Sequence, residues 1–122
     1  MYDNCFYLVV AGGRDFNDYP FLKESLDKIL INVRKTKKIV IVSGCANGAD
    51  TMGERYAKEN GFEIMRFPAQ WAKYGRGAGH IRNKEMYNVC DALVAFWDGN
   101  SRGTKNMIGL CKGKKPTRIF RY

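Results

Sequence analysis

The chain has 122 residues, which suits one domain (1–122) that buries roughly two-thirds of its unfolded surface. With 45% hydrophobic and 27% charged residues, and no apolar run near the ~20 residues of a membrane span, it reads as a cytoplasmic globular protein without a membrane partner. The net charge of +9 is uneven, because no acidic residue follows Asp98 while seven cations do, and such a flank suits a polyphosphate ligand or weak, nonspecific contact with nucleic acid.

The N-terminus has no basic leader and enters a strand almost at once. Phe6–Val10 is an unbroken apolar run, the pattern of a strand buried on both faces. It leads into AGGRDF (Ala11–Phe16), a Gly12-Gly13 turn followed by Arg14 and Asp15. Pro20 suits the first turn of a helix whose buried face is Leu22, Leu26, Ile29, Leu30 and Val33. After a basic connector, Ile39–Val42 supplies four consecutive β-branched residues, the second central strand. Ser43 and Gly44 end it, Asn47-Gly48 turns ahead of Ala49, and Asp50 is placed to cap a helix on which Met52, Gly53, Tyr56 and Ala57 follow at helical spacing. Strand, small-residue loop and helix together aim unpaired N–H groups at an anion.

Asn60-Gly61 stops that helix, and Phe62–Phe67 is an edge strand ended by Pro68. Ala69–Gly79 carries three glycines, two aromatics and two cations without periodicity, so it reads as a functional loop. In it Trp71 and Tyr74 either anchor the loop on the core or stack on a base, and Arg76 is a second lid contact. A helix is expected over His80–Val89, a strand over Asp91–Trp97, a turn at Asp98–Ser101, a helix opened by Gly103-Thr104, and a short strand over Thr117–Phe120. The four cysteines (Cys5, Cys45, Cys90, Cys111) form no CxxC pair, and with a lone His80 they argue for reduced thiols and against a metal site. Cys45 beside a helix start is a thiol whose pKa could be lowered.

Five strands alternating with four helices make an α/β, Rossmann-like three-layer domain with a mostly parallel sheet. Its ligand belongs at the carboxyl ends of the strands, where strand order reverses. Three glycine-rich turns fall on such ends: Gly12–Asp15, Ser43–Asp50 and Asp98–Thr104. None matches the dinucleotide fingerprint or the P-loop, so a classical dinucleotide fold and a P-loop NTPase are both disfavoured.

The ordered motifs AGGRDF, SGCANGADTMGERYA, GRGAGHIRN and AFWDGNSRGT resemble the SLOG superfamily, closest to its small bacterial and phage branch. That resemblance covers nearly the whole chain. It implies a Rossmann-like domain holding a nucleotide or an NAD- or ADP-ribose-derived ligand, no obligatory cofactor, and an inclination to form homo-oligomers. The superfamily includes the LOG phosphoribohydrolases and the DNA-processing protein DprA. By the LOG pattern Arg82 and Met86 lie on a helix, Asp91 opens a strand, and Gly99, Gly103 and Thr104 belong to the phosphate loop. Met107 stands where LOG enzymes carry their catalytic glutamate, and a methionine can neither donate nor accept a proton. The resemblance therefore implies sensing or sequestration, with phosphates held by the glycine loops, Ser101 and Arg82. The alternatives are a hydrolase in which Asp98 or Asp15 replaces the glutamate, a DprA-like single-strand DNA binder, and an interaction module with a vestigial pocket.

Overall fold

The computed structural model describes residues 4–122. Strands β1 (Cys5–Gly12), β2 (Lys38–Ser43), β3 (Glu63–Arg66), β4 (Ala92–Trp97) and β5 (Thr117–Arg121) form one sheet in the order β3-β2-β1-β4-β5. Every pairing is parallel, so the expected mostly parallel sheet is wholly so. The unalternated apolar runs become the three central strands because both of their faces are covered. Leu8, Val10, Ile39, Ile41, Val94 and Phe96 face one helical layer, and Tyr7, Val9, Ala11, Val40, Val42 and Ala95 face the other.

Helices α1 (Tyr19–Leu30) and α3 (Ala49–Asn60) cover the first face. Asp18 caps α1 by accepting from the Phe21 N–H at 3.2 Å, and Pro20 occupies its first turn. Gly61, at φ 70°, ends α3 with a left-handed cap. Helices α5 (Ala78–Val89) and α6 (Arg102–Cys111) cover the second face through Met86, Met107, Ile108 and Cys111, with Cys90 just past the end of α5. Two four-residue helices, α2 (Val33–Thr36) and α4 (Trp71–Tyr74), complete the set. None of the helices among the described residues is long and apolar enough to cross a membrane.

Four readings change in detail. Asp50 does not cap α3, because the helix begins at Ala49 with Gly48 in the cap position. The Ala69–Gly79 stretch is not structureless: α4 and a 3-10 turn at Gly75–Gly77 fold it into a cap before α5. Neither aromatic of that cap is anchored in the core, since Trp71 is 51% exposed and Tyr74 40%. Helix α6 starts two residues before Thr104, capped by Ser101.

Close packing of α3 on the sheet depends on Gly53. A Cβ built there would lie 2.8 Å from the Cβ of Val10 in β1. Alanine is the better helix former by about 1 kcal/mol, but overpacking costs about 1–3 kcal/mol. Gly53→Ala is therefore expected to lower stability in chemical denaturation, whereas an open helical site would give a gain.

Candidate functional site

Parallel strands put the ends of β1, β2 and β4 on one rim, and β1 and β4 are the neighbours between which strand order reverses. A cleft of about 490 Å³ opens there. From the end of β1 and the loop after it the cleft takes Gly12, Gly13, Arg14 and Asp15, and from the loop after β4 it takes Asp98 and Ser101. The two loops are tied at their base by the Gly13 N–H donating to the Phe96 carbonyl at 3.1 Å.

The second loop is laid against the first. Gly13 accepts from the Ala49 N–H at 3.3 Å, so the leading donor of α3 is used to join loops rather than to face a ligand. The N–H groups of Asp50 and Thr51, next in that turn, have no acceptor among the described residues, and the Asp50 carboxylate lies at the same helix end. Asp50 lines the cleft although it is only 5% exposed. Its Oδ2 accepts from the Ala46 N–H at 3.2 Å. Burial pushes its pKa up to about 6, against the opposing pull of that N–H and of Arg82.

A carboxyl whose pKa is raised by folding stabilises the fold below its unfolded value, and that contribution is lost as pH rises from about 4 through about 6. Asp50→Asn does not titrate. Relative to the wild type it should gain about 2 kcal/mol between about pH 4.5 and 7.5, read by denaturant titration at each pH. A gap that stays constant with pH would show Asp50 to be ordinarily solvated.

Helix α5 brings the largest share of the far wall. Gly79, Arg82, Asn83 and Met86 line the cleft at helical spacing, with His80 and, from the preceding turn, Arg76. The Arg82 guanidinium donates from Nη1 to the Gly44 carbonyl and from Nε to Asn83 Oδ1 at 3.0 Å. Asn83, 4% exposed, donates to the Gly103 carbonyl at 3.1 Å and to Asn106 Oδ1 at 2.9 Å. One buried amide thus fixes the start of α6, whose Gly103, Thr104 and Met107 close the cleft. Ser101 Oγ lies 3.1 Å from Thr104 Oγ1 across the cap of α6.

Charges in the cleft are unequally engaged. Asp98 Oδ1 accepts from the N–H groups of Ser101 and Asn100, both at 2.8 Å, which hold its carboxyl below the usual range. Asp15 accepts from the Tyr122 hydroxyl at 2.5 Å. All three carboxylates therefore carry protein donors. Arg14 and Arg76, by contrast, make no hydrogen bond or ion pair with the described residues, and their guanidiniums are left for an anion.

Not every residue read as a ligand contact faces this cleft. Ser43 is fully buried and its hydroxyl donates to Glu54 Oε2 at 2.7 Å. Gly48 and Ala49 are packed against the first loop, and Gly99 lies under the Arg121 side chain. Gly44 and Asn47 line a smaller neighbouring cavity. Cys45 is exposed at φ 65°, and burial of its thiol together with Glu54 moves its pKa up, opposite to the expected lowering. Ala11, Ala46, Gly79 and Asn83 were not foreseen on the cleft, and Met86 and Met107, named above only through the LOG pattern, line it too. The helical stripe running through Arg82 was the available signal for the α5 members.

Residues 6–74 match the YAcAr family, described as the YspA, cpYpsA-related SLOG family. The chain is also similar to the Gene 61 protein of Mycobacterium phage D29, with 31% identity over 107 residues that cover 83% of this chain and 84% of that protein. No solved structure matches it.

Proposed function

We propose, on the premise that this chain belongs to the YspA, cpYpsA-related SLOG family, that its cleft binds a nucleotide-derived ligand for sensing or sequestration. The observation that carries this reading is the charge balance at the switch point: the carboxylates are already bonded, while Arg14 and Arg76 line the same cleft with no bonded partner among the described residues. A phosphate is the small anion that such guanidiniums suit. Half of the cleft's surroundings are apolar or aromatic, with Trp71 at the mouth and Met86 and Met107 inside, which suits a base or ribose beside the phosphate. The size of the cleft is within the ordinary range for small-molecule sites.

Thermal denaturation with AMP, ADP and inorganic phosphate tests the reading. Saturation at a hundred times Kd should stabilise the fold by about 2.7 kcal/mol, with the nucleotides acting at lower concentration than phosphate. No stabilisation by any nucleotide would remove the proposal. Turnover is not expected. Met107 is 1% exposed and offers the cleft a thioether where LOG enzymes carry glutamate. Prolonged incubation with AMP should release no adenine, and multiple turnovers would favour a hydrolase using Asp98 or Asp15.

A further inference from the structure

The two edges of the sheet, β3 and β5, are finished differently. At the β3 edge the charges are paired within the chain, Lys38 with Glu63 at 2.8 Å and Arg66 with Glu54 at 2.9 Å. The β5 edge has no such pairing. Between Lys112 and Tyr122 there is no acidic residue, while Lys112, Lys114, Arg118 and Arg121 are exposed. None of these four makes an ion pair among the described residues. The edge is also open for strand pairing. The Pro116 carbonyl and the Tyr122 N–H bond to β4, at Leu93 and Trp97, so the even-numbered positions of β5 face inward. By strand alternation the N–H and C=O groups of Thr117, Ile119 and Arg121 point away from the sheet, with no strand beside them among the described residues. Ile119 is 37% exposed, an apolar side chain on this outer strand. On the opposite face Arg118 and Phe120, with Phe21 and Ile29 of α1, line a groove of about 280 Å³. Glu24 and Lys28, also on that groove, bond to each other at 3.1 Å, so its unpaired charge is that of Arg118.

We propose that the outer edge of β5 takes up an acidic, extended peptide segment of a partner protein as an added strand, its carboxylates meeting Arg118 and the neighbouring lysines. The outward main-chain groups supply affinity without regard to sequence, and the cations select an acidic strand. A second copy of β5 would bring the same cations and no carboxylate, so like charges oppose self-pairing. Single-stranded nucleic acid is less suited to this edge, because its bases stack on bare aromatic faces. Here Arg118 lies over the Phe120 ring at 5.5 Å and Arg121 over Trp97 at 5.4 Å. The proposal does not rest on the reading of the main cleft.

A blocked octapeptide alternating glutamate and valine is the probe, with lysine in place of glutamate as the control. Fluorescence anisotropy of the labelled peptides on the full chain gives affinity, and amide-resolved hydrogen exchange gives the place. The glutamate peptide is expected to bind at least ten times more tightly than the lysine one. It should slow exchange of the Thr117, Ile119 and Arg121 amides at least fivefold. Methylating all of its backbone nitrogens keeps every carboxylate and should abolish binding. Ile119→Pro removes one outward N–H and leaves the inward bonds to β4, so affinity should fall at least tenfold in a folded domain. The methylated peptide tests the same point on the unaltered chain. Equal binding of the methylated and unmethylated peptides would overturn strand addition and leave charge alone. Tighter binding of an oligothymidylate than of the glutamate peptide would assign the surface to nucleic acid. Protection of the same three amides without peptide, rising with protein concentration, would assign it to a second copy. Either result overturns the proposal, as does failure of the glutamate peptide to bind.

Discussion

Gly48→Ala is expected to cost about 3–5 kcal/mol of stability, a large share of the roughly 5–15 kcal/mol that holds an ordinary small domain folded. Gly48 has φ 78° and ψ −125°, a conformation that only glycine adopts without strain. That part of the cost is about 1–3 kcal/mol. The remainder is steric, because an added Cβ would overlap the Gly13 carbonyl and lie 2.7 Å from both the carbonyl carbon and oxygen of Arg14. These are backbone atoms of the other loop and cannot rotate away, so overpacking adds about 1–3 kcal/mol. Loop movement would also break the Ala49 N–H bond to Gly13. Equilibrium denaturation reads the loss. A cost below about 1 kcal/mol would mean that the first two loops are not pressed together as described.

Arg82→Ala should act on both ligand and fold. A charge-assisted hydrogen bond to a phosphate or ribose in a partly dry site contributes roughly 1.5–3 kcal/mol, so affinity should fall about ten- to a hundredfold. An arginine that served the ligand alone could be removed without lowering the melting temperature of the free protein. Here it cannot, because its guanidinium also holds the Gly44 carbonyl and stands near the buried Asp50. A loss of about 1–2 kcal/mol is expected in the free protein, and the Asp50 pKa should climb further once its nearby cation is gone. Arg82→Lys should restore part of the stability and less of the affinity, since an ammonium cannot bond Gly44, Asn83 and a ligand in one planar fork. If Arg82→Ala destabilises the fold but the folded fraction keeps full affinity, Arg82 is a positioning residue and the ligand contact belongs to Arg14 and Arg76.

The parts of this molecule that the amino-acid order makes legible are those governed by local rules. Four β-branched residues at Ile39–Val42, and apolar runs at Phe6–Val10 and Ala92–Trp97, have no polar side to turn to water, which places them centrally in a covered parallel sheet. Their parallel direction then forces the three glycine turns onto one rim. Contacts across the chain were hidden. Nothing local indicates that Tyr122 reaches back over 107 positions to Asp15, or that Lys115 donates to the Tyr87 and Cys90 carbonyls at the end of α5. Asn83 reads as a polar helix-surface residue until α6 is packed against it. Ser43 belonged to a motif that suggested ligand contact, but a hydroxyl that points inward from a buried strand end finds Glu54 instead. Four residues of α4 are too few to show periodicity, which is why the Trp71–Tyr74 cap looked like open loop.

The central claim is that a nucleotide-derived ligand sits at the switch point between β1 and β4, and amide-resolved NMR titration with ADP-ribose, with ADP alongside, tests it most directly. Ligand-dependent shifts should concentrate at Gly12–Asp15, Ala46–Thr51, Gly79–Asn83 and Asp98–Thr104, saturate together with one Kd, and diminish in Arg82→Ala. The basic surface at Lys112, Lys114 and Arg118 should stay unperturbed at moderate salt. Shifts confined to that surface, falling away as salt is raised, or no saturable shift in the four loop and helix segments, would contradict the account.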